Sequence, residues 1–152
     1  MAPKKKLRLH AKETDHSRPW ALPRPNKPGT PQGNTDPVAH GEMLGDQRVF
    51  TDELRELDNS GVPTGPVVGE HSGHCTLVRV GPGNQRIYQC FTTYRLPGGL
   101  ITSRTLFDLN NIPAGGIKAP VTGGTLTYNK AQGQVTATFP GGDVVIYEID
   151  FD

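Results

Sequence analysis

From Gly45 onward, glycine turns cut this chain into short segments: "GPGN" at 81–84, "LPGG" at 96–99, "PAGG" at 113–116, "TGG" at 122–124 and "PGGD" at 140–143. Between them lie runs rich in aromatic and β-branched residues, such as "QRIYQCFTTYRL", "GLITSRTLFDLN" and "DVVIYEIDF". Strands therefore recur roughly every 10–15 residues with no convincing helix between them. "DQRVFTDELREL" carries Phe50, Leu54 and Leu57 at helical spacing, yet it reads better as a strand through about Leu54. With no amphipathic helix to cover a sheet face, closure is the simplest way to remove exposed edges. The pattern predicts an all-β fold, a small closed antiparallel β-barrel of about eight strands with an extended N-terminal tail.

A chain of 152 residues fits one domain, and no run of about 18 apolar residues is present to span a bilayer. The basic start, "MAPKKKLRLHAKETDHSRPW", lacks the apolar stretch of a secretory signal, so the expected compartment is the cytoplasm. Residues 1–44 hold 8 Lys/Arg against 4 Asp/Glu and half of the 14 prolines, while the remainder holds 8 against 11. That divides the chain into a flexible, Pro-rich basic tail over 1–44 and a barrel domain over 45–152. Within "SRPWALPRP", Trp20 is an isolated aromatic knob, suited to folding over the barrel as a lid. A nucleic-acid role for "PKKKLRL" ranks last, because the domain behind it is net negative. The expected partner is a small molecule, with neither nucleic acid nor membrane.

Alternate strand residues share a face. Val145, Tyr147, Ile149 and Phe151 form one apolar set; Val135, Ala137 and Phe139 a second; Ile101, Ser103, Thr105, Phe107 and Leu109 a third. Small residues among them (Gly73, Ser103, Thr105, Ala137) predict an interior cavity for one small ligand, against the alternative of complete filling. If Val80 faces Gln85 across the "GPGN" loop, Leu77 faces Tyr88 and Cys75 faces Cys90 on that same face. Two buried free thiols is the expected state in a reducing compartment, and a cross-strand disulfide requires an oxidising one. A zinc site from His71, His74 and Cys75 is disfavoured, since His74 alternates to the other face. The titratable groups able to face inward are Glu42 near the rim, Asp52, His71, Cys75, Cys90, Tyr88, Tyr94 and Tyr147. No glycine-rich stretch opens a helix, so nothing suggests a phosphate cradle. No metal and no cofactor is expected.

The string "VTGGTLTYNKAQGQV" resembles the TGG-(S/T)-G-x-(Y/F)-x-x-A-x-G-x-V hairpin of the allene oxide cyclase and dirigent barrels. "LGDQRVF" resembles the start of that family's first barrel strand, "SGHCTLVR" the next, and "YQCFTTYRLPGGLITSRTLFDLN" the pair that follows. The resemblance covers about 41–151. "DQRVFTDELRELDNS" and "TLFDLN" further resemble bacterial barrel cyclases that form spirotetronate and spirotetramate rings by [4+2] cycloaddition in polyketide pathways.

The resemblance implies that Cys75 sits where plant allene oxide cyclases carry a cavity cysteine, and Glu42 where they carry a water-holding asparagine. Val49 replaces a cavity proline, which argues against true allene oxide cyclase activity. Toward the cycloaddition enzymes it implies cavity-lining roles for Phe50, Cys90, Leu109, Ala137 and Phe139, a lid role for Trp20, and association as a dimer or trimer. The resulting expectation is a cofactor-independent cyclase that folds a linear polyketide-type intermediate in an apolar barrel. Such preorganisation can remove about 7–11 kcal/mol of barrier. Tyr88, Tyr94 or Tyr147 would polarise a carbonyl, Asp52 or Glu42 would act as acid or base, and Trp20, Phe50, Cys75, Leu77, Cys90, Phe107, Leu109, Ala137, Phe139 and Tyr147 would bind substrate. Acid-assisted closure such as spiroketal formation is the alternative, needing Asp52, Glu42 or His71 inside. A non-catalytic, dirigent-like binding barrel is another.

Overall fold

The computed structural model describes residues 6–16, 43–141 and 144–152. Eight strands follow in order: β1 (Lys6–His16), β2 (Gln47–Leu57), β3 (Pro63–Gly81), β4 (Gln85–Leu96), β5 (Gly99–Asp108), β6 (Ile117–Gly124), β7 (Gly133–Gly141) and β8 (Val144–Phe151). Each pairs antiparallel with its sequence neighbours, and β1 pairs with β8 to close the barrel. The described residues contain no α-helix, and none of their helices is long and apolar enough to cross a membrane.

The closing strand corrects the division at residue 44. Lys6–His16 lies inside the segment read as tail, yet Leu7, Leu9 and Ala11 alternate as a strand requires. Leu9 and Ala11 are buried against β8 and β2. Proline and charge content averaged over 44 residues hid eleven residues of ordinary strand. The "LGDQRVF" segment accordingly leads into the second strand, not the first. Its basic residues are also accounted for. Lys6 pairs with Glu148 and Asp150, and Arg8 with Glu148, all across the β1–β8 ladder.

The cysteine register is as expected: Cys75 stands opposite Cys90, and Leu77 opposite Tyr88. Nearer the turn the pairing slips by one, because a bulge between Leu77 and Arg79 places Val80 opposite Arg86. The thiols are not free. Cys75 and Cys90 form a disulfide, which a direct cross-strand pair on one face permits. Leu126–Tyr128 makes a 3₁₀ turn after β6, and Tyr128 stacks on Phe151 with ring centroids 5.8 Å apart.

The interior divides into two buried clusters. One is apolar and closes one end: Leu9, Ala11, Leu54, Ile101, Val121, Val135 and Ile149, with Tyr94 and Tyr147. The other holds Cys75, Leu77, Tyr88 and Cys90, edged by the half-buried Phe50, Val80, Phe107 and Leu109. We call this second end the mouth. Packing of the closed end contributes stability at roughly 25 cal/mol per Å² of apolar surface buried.

Candidate functional site

The inward positions stack in rows across the β2–β3–β4–β5 ladders. Inside the rim where Leu77, Tyr88 and Phe107 stand opposed runs Arg48–Cys75–Cys90–Thr105; next Phe50–Gly73–Thr92–Ser103; then Asp52–His71–Tyr94–Ile101. The middle row explains what became of the expected void. A Cβ at Gly73 would meet the Phe50 ring and the Thr92 methyl at 2.8 Å, so the glycine leaves space that the phenyl ring fills. Ser103 is satisfied by Thr92, hydroxyl to hydroxyl at 2.7 Å. Small residues here accommodate a neighbour's bulk rather than a cavity. Two surface depressions lie among the described residues, and Gly73, Thr92 and Ser103 of the middle row line the larger of them. One, of about 470 Å³, is open and is lined largely by outward positions including Val49, His74, Phe91 and Arg104. The other lies at Ile112–Ala114, Gly116 and Phe139.

The third row holds the chemistry. Asp52 and His71 are cross-strand partners, 3% and 1% exposed. Nδ1 of His71 lies 2.8 Å from Oδ2 of Asp52. A carboxylate can only accept, so Nδ1–H donates, and in the neutral ring the lone pair lies on Nε2. That Nε2 is buried without a hydrogen-bond partner. Around it, Tyr94 stacks on the imidazole at 4.2 Å and 20°, Tyr147 meets it edge-on at 4.6 Å, and Phe50 tilts against it at 5.4 Å. An orphaned buried nitrogen costs about 1–3 kcal/mol, so it is a natural landing point for a proton donor.

Burial pushes the Tyr94 hydroxyl far above the usual phenol range; Ser103 and Thr92 pull it back, while the Asp52 charge pushes it further up. Tyr147 is likewise held high by burial, reinforced by Tyr94, Asp52 and Glu13. Both are hydrogen-bond donors that stay protonated at any working pH. Nearer the mouth, Arg48 is 1% exposed. Its Nε donates to the Tyr88 hydroxyl at 3.1 Å, with the guanidinium 5.4 Å from that ring's centroid. Tyr88 in turn stacks on Phe107.

The structure thus gathers Phe50, Asp52, Tyr94 and Tyr147 around His71, and Cys75, Leu77, Tyr88, Cys90, Phe107 and Leu109 into the mouth cluster. Ala137 is half-buried against the closed end. Phe139 is 49% exposed, because a register shift between Thr138 and Gly141 breaks the alternation of β7. Val49 faces outward, so it replaces no interior residue. Trp20 and Glu42 lie outside the described residues. Two inward groups escaped the sequence reading. Arg48 shares a face with Phe50 and Asp52, which simple alternation reveals. Glu13, opposite Asp52, sat in the segment taken for tail. The apolar barrel interior expected for a cyclase is interrupted by the buried Arg48, Asp52 and His71.

No protein-family model and no curated protein sequence matches the chain. Among solved structures it resembles a pyocyanin demethylase (22% identity, TM-score 0.67, covering 97% of this chain and 99% of that one). It also resembles AbnU, an exo-specific intermolecular Diels-Alderase (15% identity, TM-score 0.62, 96% of each chain). A third is the pterocarpan synthase dirigent protein GePTS1 (16% identity, TM-score 0.60, 96% of this chain and 81% of that one). The chain shares their barrel fold. Two of these barrels are enzymes by name, a demethylase and a Diels-Alderase.

Proposed function

We propose that the protein is a cofactor-independent cyclase or isomerase, acting on a small hydrophobic molecule bound at the barrel mouth. Proton transfer at His71 is the assisted step. The observation that carries this is the Asp52–His71 pair, with Nε2 left unpartnered inside an aromatic enclosure. Asp52 holds the tautomer and offsets the imidazolium that forms when Nε2 takes a proton. Tyr94 or Tyr147 can donate a hydrogen bond to a carbonyl as charge develops on it. Phe50 packs on the imidazole from the row nearer the mouth, so substrate entry requires that ring to turn aside.

This favours acid-assisted ring closure over closure by shape alone, which needs no buried Asp–His pair. The [4+2] cycloaddition keeps the support of AbnU's likeness in fold. We further propose that copies of the chain associate. The buried disulfide fits an oxidising compartment better than the cytoplasm inferred from sequence.

The test is to incubate purified protein with linear conjugated polyketide-type precursors in D2O. Cyclised or isomerised product carrying solvent deuterium is expected, and lost in His71→Phe, which keeps the ring stack. Equal turnover by His71→Phe would remove the proton-transfer reading and leave templating. Saturable binding without turnover would make the protein a carrier.

A further inference from the structure

We infer that Glu13, with His16 behind it, is the proton port that connects the buried Asp52–His71 pair to solvent. The inference rests on the reading of that pair as the proton-handling centre. Glu13 stands directly across the β1–β2 ladder from Asp52, and opposed residues share a face. It also continues the inward series of Leu9 and Ala11 along β1. Its side chain is 18% exposed, between the sealed dyad and the open surface, and it pairs with the 41%-exposed His16 at 2.7 Å. The ladder shifts register immediately after it, between Glu13 and Asp15, so regular pairing stops where an interior group meets the exterior. Its charge is felt inside the barrel, adding to the rise of the Tyr147 phenol.

The other elements around His71 present rings and hydroxyls rather than carboxylates: Thr92 of β4 and Ser103 of β5 bond to each other and line the open depression. β4 presents Tyr94, stacked and buried, and β8 presents Tyr147, also buried. On β2, Arg48 lies two rows toward the mouth and turns its Nε to Tyr88. The carboxylates Asp52 and Glu13, then His16, make a graded sequence from 5% through 18% to 41% side-chain exposure. Nε2 takes a proton from a bound donor and the ring becomes the imidazolium that Asp52 offsets; the Nδ1 proton then leaves by way of Asp52 to Glu13 and His16. One proton enters the ring and one leaves it, with no redox change. The reverse passage restores the starting tautomer.

Solvent exchange of the His71 ring proton tests this on the resting full-length protein, so it is independent of whether any substrate turns over. With ¹⁵N-labelled histidine, Glu13→Gln should slow exchange of the His71 Nδ1 proton with water by at least about tenfold. Glu13→Asp should recover part of the rate. His16→Ala, at an exposed position that the fold does not need, should slow it by a smaller factor. Exchange at the wild-type rate in a folded Glu13→Gln variant would overturn the port. Were Glu13→Gln unfolded, an unchanged rate in His16→Ala would overturn it equally. Loss of turnover in His71→Phe alongside unaltered exchange in Glu13→Gln would leave the dyad standing and the port refuted.

Discussion

The two halves of the barrel interior are built on opposite terms. At the closed end the aliphatic Leu9, Ala11, Leu54, Val135 and Ile149 pack against the rings of Tyr94 and Tyr147. Toward the mouth come first the Asp52–His71 row, which borders that cluster through Tyr94 and Ile101, and then the arginine and the disulfide. Burying such groups costs free energy unless each finds a partner, and here one ring nitrogen finds none. The contrast teaches that the closed half holds the fold while the mouth half carries the polar groups that chemistry needs.

Substitutions should separate the halves. The largest stability effect belongs to the closed end: Ile149→Ala should cost about 2–5 kcal/mol in denaturant unfolding while the molecules that remain folded keep their proton chemistry. A smaller loss would mean that this half is looser than its burial implies. Next comes the disulfide. Reducing it should cost at most about 3 kcal/mol, the entropy of a loop with its sequence separation of 15. The β3–β4 ladder already holds both residues opposite each other, so the barrel should survive, as near-ultraviolet circular dichroism with and without a phosphine reductant would report.

Asp52→Ala reverses the pattern. It should cost about 1–3 kcal/mol, for the unpaired Nδ1–H, but abolish the proposed proton transfer. Retained transfer would sever the dyad from the function. The smallest effect is visible only in alkali. Tyr94 and Tyr147 are raised in the folded state, so their contribution to stability is complete below pH 10 and declines as pH rises past it. Spectrophotometric titration should show two tyrosines that ionise only as the protein unfolds.

Much of this was legible in the order of residues. Glycine turns and period-two alternation specify strands, and the arithmetic around the 81–84 turn placed Cys75 against Cys90 despite a bulge it did not foresee. Asp52, Tyr94 and Tyr147 could be assigned to the interior by parity, because a strand's geometry admits only two faces. The first strand was lost for a different reason. Lys6 and Arg8 read as a basic tail until Glu148 and Asp150, more than 130 positions away, stood beside them.

Local pattern by itself therefore determined the strand content, the facing of most side chains and the cysteine register, since these depend on neighbours in the chain. Tertiary structure alone decided that the chain's first described strand closes the barrel, that Phe50 occupies the space over Gly73, and that His71 meets Asp52 within rings from β2, β4 and β8. Those outcomes depend on which strands become adjacent on closure and on the volume left between them. Neither quantity is written in any one segment.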